Sequence, residues 1–201
     1  MDARMHCYQY IEALRTALSS LPLDDIGKGV EILWNCQHQG GTIFTMGNGG
    51  HCNTASHAIN DLAKHTISSD DKTAVIADKY RFKAMCLNDS MSFVTGLAND
   101  MGYERIFSEQ LANWVREGDV VVGISGSGNS QNVLNAFLVA KKAKATSVCL
   151  SGFGGGKARE VADLCIVVPG DNMMRIEDTH LAILHLWADA LRELVREEIP
   201  K

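Results

Sequence analysis

The chain has 201 residues, 46% of them hydrophobic, and a formal net charge of −5. That length suits one sizeable core and leaves little room for two full domains. The acidic balance, with no stretch rich in Lys and Arg, argues against nucleic acid as the main partner, and no apolar run approaches the length of a membrane span.

The first eighteen residues, MDARMHCYQYIEALRTAL, carry charges throughout and lack the apolar centre of a signal peptide or anchor. Residues 3–20 read as an amphipathic helix with Tyr10, Leu14, Ala17 and Leu18 on its apolar side. Pro22 interrupts it. Asp24 is placed to cap a second helix over 25–38, built on Ile26, Val30, Leu33 and Trp34 and stopped by Gly40-Gly41. The pattern then changes to short apolar runs at 42–46, 84–87, 119–124, 146–150 and 164–168, each bounded by Gly, Asp or Ser. Helical segments at 130–143 and 156–162 separate the last three runs, which is the βαβ pattern of a parallel sheet covered on both faces. Residues 88–118 read as two short helices broken near Asn99-Asp100 and Gly102, and 174–198 as one long final helix able to pack on the sheet or on another subunit. The polar segment 66–83 reads as a surface excursion, a lid or an intersubunit segment. Six scattered cysteines without a C-x-x-C pair point to a reduced, cytoplasmic protein.

Four features carry chemistry. Gly47-Asn48-Gly49-Gly50 follows a strand and precedes a helix, so its glycines allow a sharp turn and its N–H groups can face a ligand. It lacks the Gly-Lys-Ser/Thr ending of a Walker loop, and a plain strand-to-helix turn accounts for it equally well. The segment 124-ISGSGNSQNV-133 is more specific: Ser125, Ser127 and Ser130 supply hydroxyls, Gly126 and Gly128 supply loop freedom, and a helix N-terminus follows. One helix cap explains one serine; convergent hydroxyls at a helix start suit a phosphate or phosphosugar. His57 and Asp61, four apart, share a helix face. On the last helix Glu177 lies eight residues before His185, with His180 a competing candidate. Two histidines and two carboxylates are a donor set for a divalent cation such as zinc, although a His-Asp surface pair and a core histidine explain the same residues.

Taken together, the segments resemble the sugar isomerase (SIS) domain family, and within it the sedoheptulose-7-phosphate isomerases (phosphoheptose isomerases). The matching pieces are GNGG with His57 downstream, 87-LNDSMSFVTGLANDMGYERIFSEQ-110, 123-GISGSGNSQNV-133, 150-LSGFGGGKAREVADLCIVVP-169 and 175-RIEDTHLAILH-185, in family order across nearly the whole chain. The resemblance implies an α/β three-layer sandwich with a five-stranded parallel, flavodoxin-like sheet. Residues 1–201 would form a single SIS domain with an N-terminal helical extension over 1–40. It implies a homotetramer with intersubunit active sites, a phosphate loop at 125–130, and Asn48, Gly49, Gly50, His51, Asn99 and Asp100 around the sugar. It places zinc on His57, Asp61, Glu177 and His185, with Asp61 moving a proton between C1 and C2 and His185 as its partner.

This sequence departs from the family pattern at several of those positions. Asp61 stands where the family has Glu, Glu177 where it has Gln, His51 where it has Ser, Gly126 where it has Thr, and Met173-Met174 where it has Thr-Ala. The shorter Asp61 shifts a carboxylate by roughly 1–1.5 Å, and His51 is available as a substitute acid, base or ligand. The leading expectation is isomerisation of sedoheptulose 7-phosphate to D-glycero-D-manno-heptose 7-phosphate. The alternatives are an isomerase for another phosphosugar and a non-catalytic SIS tetramer that binds a protein partner, as replication-initiator-associated members do.

Overall fold

The computed structural model of the chain describes residues 1–66 and 80–199. Helices α1 (Ala3–Ser19) and α2 (Leu23–His38) precede a βα series. Its elements are β1 (Thr42–Gly47), α3 (Gly50–Asn60), β2 (Lys83–Cys86), α4 (Met91–Met101), α5 (Ser108–Trp114), β3 (Val120–Ser125), α6 (Gln131–Ala143), β4 (Thr146–Ser151), α7 (Ala158–Val161), β5 (Leu164–Val167) and α8 (Met173–Glu198). A π turn, Asp61–His65, continues α3, and a 3-10 turn, Tyr103–Arg105, joins α4 to α5. Most of the expected segment 66–83 lies outside the described residues.

All five strands run parallel in the order β2-β1-β3-β4-β5. Period-two alternation sorts their side chains into two cores. Ile43, Val120, Val122, Ile124, Val148, Leu150 and Ile166 face one side with Leu33, Ala55, Ile183, Trp187 and Leu191 from α2, α3 and α8. Phe44, Met46, Val121 and Cys149 face the other, with Leu97, Phe107, Leu111, Phe137 and Ala158 from the remaining side of the chain. The expected α/β three-layer sandwich is therefore the observed architecture. Trp187 anchors α8 to α2, its indole N–H donating to the Ile26 carbonyl at 3.0 Å.

One local expectation is corrected. Asp24 does not cap α2: the helix begins one residue before it, Pro22 holds the cap position, and Asp24 and Asp25 lie in the first turn. There they still oppose the positive end of the helix dipole. Among the described residues no helix is long and apolar enough to cross a membrane.

The strand order reverses direction between β1 and β3, since β2 lies to one side of β1 and β3 to the other. At such a point the two loops leaving the carboxyl ends of the strands part company and open a crevice, the usual ligand position in open α/β sheets. Both glycine-bearing loops singled out in the sequence leave the sheet here.

Candidate active site

The first wall of the crevice is the turn after β1. Asn88, just past β2, clamps its end: the Gly47 N–H donates to Asn88 Oδ1 at 3.0 Å and Asn88 Nδ2 donates back to the Gly47 carbonyl at 2.9 Å. Gly49 has φ +58° and ψ −124°, a backbone shape that favours glycine, and it starts α3 without a side-chain cap. The Asn48 side chain turns across the crevice into a reciprocal amide pair with Asn132, at 2.9 and 2.8 Å, and its Oδ1 also accepts from the Tyr103 hydroxyl at 2.9 Å. Asn48 thus ties the two loops together.

The second wall is the loop between β3 and α6. Ser125 donates to Ser130 across it at 3.1 Å, and the Gly128 N–H closes it onto the Ser125 carbonyl at 2.8 Å. Ser130 occupies the cap position of α6, yet its hydroxyl makes no cap bond. The Ser127 hydroxyl accepts from the Asn129 N–H at 3.2 Å and keeps its own proton to give. The loop is braced from behind by the β4–α7 connection, with the Ala158 N–H on the Gly128 carbonyl at 2.9 Å and the Lys157 N–H on Asn129 Oδ1 at 3.0 Å. A braced loop with half-buried hydroxyls at the positive end of a thirteen-residue helix is a ready anion site. Gly126 offers no side chain. A Cβ there would run into the Met173 sulfur, so the first residue of α8 fills the space that a larger residue would take.

Helices α3 and α8 form the floor and run side by side in the same direction. Contacts step along them in register: Gly50 meets Glu177, His51 meets His180, and His57 meets His185. In the last step His57 Nε2 is 3.0 Å from His185 Nε2, and Asp61 Oδ2 is 3.1 Å and 3.5 Å from these two nitrogens. Oδ2 is sealed from solvent and, although within ion-pair distance, receives no hydrogen bond of acceptable geometry. A buried carboxylate oxygen is costly without a partner. Two imidazole nitrogens and a carboxylate oxygen lying within 4.8 Å of one another are the donor set a divalent cation wants, and the orphaned oxygen is explained by one. These residues fit a metal.

Glu177 stands apart from this trio. Its Oε2 lies 2.8 Å from where a Gly50 Cβ would be, eight residues and about 12 Å of helix rise before His185. His180, the competing candidate, is fully buried against His51, with His51 Nε2 3.0 Å from His180 Nδ1. Burial pushes the His180 pKa down to about 3, the neighbouring His51 pushes the same way, and the Ser151 carbonyl opposes both. Burial also lowers the His51 pKa, against a pull upward from Glu177. Asn99 and Asp100 lie exposed in the last turn of α4 and hydrogen-bond each other at 2.8 Å. Sequence reasoning missed Asn88, Tyr103 and Asn132; each belongs to a matched segment, but only the folded contact reveals its role. A hollow of about 530 Å3 lies at the opposite, amino-terminal edge of the sheet, lined by Gly41, Lys83, Trp114 and Arg116, away from all of these groups.

Fold and crevice together define an open, parallel α/β protein with a serine-lined loop and a His-Asp-His trio able to hold a cation at the switch point of its sheet. The chain belongs to the SIS domain family, whose pattern matches residues 6–152. It is 32% identical to the phosphoheptose isomerase of Helicobacter pylori (strain ATCC 700392 / 26695) over 90% of this chain and 88% of that one. It is 35% identical to the phosphoheptose isomerase of Akkermansia muciniphila, over 91% and 89% respectively. The solved phosphoheptose isomerase of Neisseria gonorrhoeae superposes with a TM-score of 0.81 at 28% identity, covering 94% of this chain and 95% of that one.

Proposed function

We propose that the protein is a phosphosugar isomerase that interconverts sedoheptulose 7-phosphate and D-glycero-D-manno-heptose 7-phosphate. The observation that carries this reading is that α3 joins both halves of the required site. Its first turn lies beside the serine loop through His51, its last turn presents His57, and the π turn that continues it presents Asp61. The six residues from His51 to His57 rise about 9 Å, a span that suits a sugar held by its phosphate at one end and reacting at the other. The similarity to phosphoheptose isomerases supports the same substrate.

Ser125, Ser127 and Ser130, with the N-terminus of α6, hold the phosphate remote from the chemistry, and that grip positions the carbon skeleton. Asp61 removes the proton on one side of the C1–C2 bond and returns it on the other, with an enediol between. His185 exchanges a proton with the oxygen that changes from hydroxyl to carbonyl. His57, Asp61 and His185 would hold zinc, which when bound supplies polarisation of a carbonyl oxygen. Glu177 is proposed as a fourth donor on the strength of the resemblance, as are Asn99 and Asp100 at the sugar. Asn48, Gly49 and Gly50 shape the wall that the sugar meets.

We take residues 1–201 as one SIS domain with α1 and α2 as its extension over 1–40, working in the cytoplasm as a homotetramer with sites between subunits. Met5, Tyr8 and Ile11 of α1 and Leu186 of α8 are exposed apolar residues that such an assembly would cover. Purified protein supplied with zinc should isomerise sedoheptulose 7-phosphate and lose that activity on chelation. Folded, zinc-loaded protein that leaves the sugar unchanged would refute the proposal and favour a non-catalytic binding role.

A further inference from the structure

The hydrogen bonds that join the two walls of the crevice fix which way each amide points. Asn132 is 2% exposed, and its Oδ1 lies 3.0 Å from the Val133 backbone nitrogen. A backbone N–H can only donate, so the amide atom facing it is the oxygen and not the nitrogen. Asn132 Nδ2 must then donate to Asn48 at 2.8 Å, and Asn132 Oδ1 must accept from Asn48 at 2.9 Å. The Asn48 amide is fixed in turn, with its Oδ1 on Asn132 Nδ2. The Tyr103 hydroxyl, 2.9 Å from that same Oδ1, therefore donates its only proton there.

This order of donors decides what the crevice offers a sugar. Both lone pairs of Asn48 Oδ1 are taken, which leaves Asn48 one unused N–H and no free acceptor. The Tyr103 oxygen is the reverse: its proton is committed, and no described residue donates to its lone pairs. Tyr103 is 55% exposed and its bond to Asn48 lies at the surface, within reach of a ligand. The 3-10 turn that carries it is pinned to α6, where Asn135 Nδ2 donates to the Glu104 carbonyl at 2.9 Å. Asn132 lies in the first turn of α6, so this pinned acceptor is linked through Asn48 to the helix start that the serine loop leads into. A phosphate takes only donors, whereas each sugar hydroxyl also needs an acceptor for its own proton.

We propose that Tyr103 is a specificity-determining residue whose phenolic oxygen accepts a hydrogen bond from a hydroxyl at the phosphate end of the sugar, on C5 or C6. The proposal rests on the phosphosugar reading of the site. With sedoheptulose 7-phosphate as substrate, Tyr103→Phe should raise KM roughly three- to tenfold, the worth of one neutral hydrogen bond. Competitive inhibition by inorganic phosphate should be unchanged, since the serine loop is untouched. The 5-deoxy and 6-deoxy derivatives of the same sugar each lack one of the two hydroxyls. On one of them the wild-type and Tyr103→Phe proteins should agree in KM to within about twofold, as a double-mutant cycle requires of direct partners. Comparing the two proteins on a given sugar cancels any difference in ring opening between sugars. Tyr103→Leu, which also lacks the hydroxyl, carries the test if the phenylalanine variant does not fold. A Tyr103→Phe penalty that persists on both deoxy sugars, a wild-type KM in that variant, or phosphate affinity falling in step with KM would overturn the proposal while leaving the isomerase reading standing. Wild-type protein that neither binds nor turns over a phosphosugar would overturn both.

Discussion

Gly126 and Met173 make the most stringent test of how this chain has rebuilt its serine loop. A Cβ at Gly126 would run into the Met173 sulfur and stand 3.0 Å from its methyl carbon. Replacing Gly126 by Ser therefore displaces the flexible, part-exposed end of Met173, which costs about 0.5–1.5 kcal/mol if that side chain is forced off its rotamer. In a chain of this size each kcal/mol lowers Tm by about 2–4 °C. Met173 is 39% exposed at the start of α8, so Met173→Ala alone should cost well under 1 kcal/mol. The double variant Gly126→Ser/Met173→Ala should recover most of the loss, giving a coupling of about 0.5–1.5 kcal/mol in a double-mutant cycle. Urea unfolding of the four proteins measures it. The double variant also brings a further hydroxyl to the loop and should bind inorganic phosphate at least as tightly as wild type. If the two single costs add to within about 0.3 kcal/mol, the two residues do not share that space and the steric account fails.

Two further outcomes follow from the floor of the crevice. The folded-state pKa of His180 is depressed, to about 3, so the unfolded chain binds a proton here that the folded chain refuses. This contribution to stability is complete above the ordinary histidine pKa of about 6.5 and declines as pH falls from there toward 3, by at most about 1.4 kcal/mol per pH unit; His180→Asn should flatten that part of a denaturation profile, and an unchanged slope would contradict it. Glu177→Gln should weaken zinc binding measured by calorimetry if Glu177 leaves Gly50 to join the trio. Unchanged affinity places it outside the metal shell.

Much of this was legible in the chain. Apolar runs bounded by Gly, Asp and Ser located all five strands to within a residue or two, because a buried parallel strand has few other sequences open to it. The serine loop was legible because hydroxyls and glycines at a helix start are a local signal, and so was the His57–Asp61 pair, which one helix turn explains. Contacts made by distant segments were not. Nothing near Asn48 announces Asn132, eighty-four residues away, and nothing near His51 announces His180. Helix geometry also limits what spacing says about Glu177 and His185. Eight residues turn by about 80° beyond two full circles and rise about 12 Å, enough to send one side chain to the start of α3 and the other to its end. The π turn at Asp61–His65 had no sequence signature; it widens α3 where Asp61 must face two histidines, a common setting for such turns.

The central claim is that Asp61 carries a proton between C1 and C2 of a phosphosugar bound in the β1–β3 crevice. Incubating zinc-supplied protein with sedoheptulose 7-phosphate in D2O and following the sugar by NMR tests it most directly. The account predicts aldose product whose C2 hydrogen is the one taken from C1, or deuterium to the extent that the Asp61 proton exchanges with solvent before its return, and loss of product in Asp61→Asn. Product that forms at an undiminished rate in the Asp61→Asn protein would contradict it.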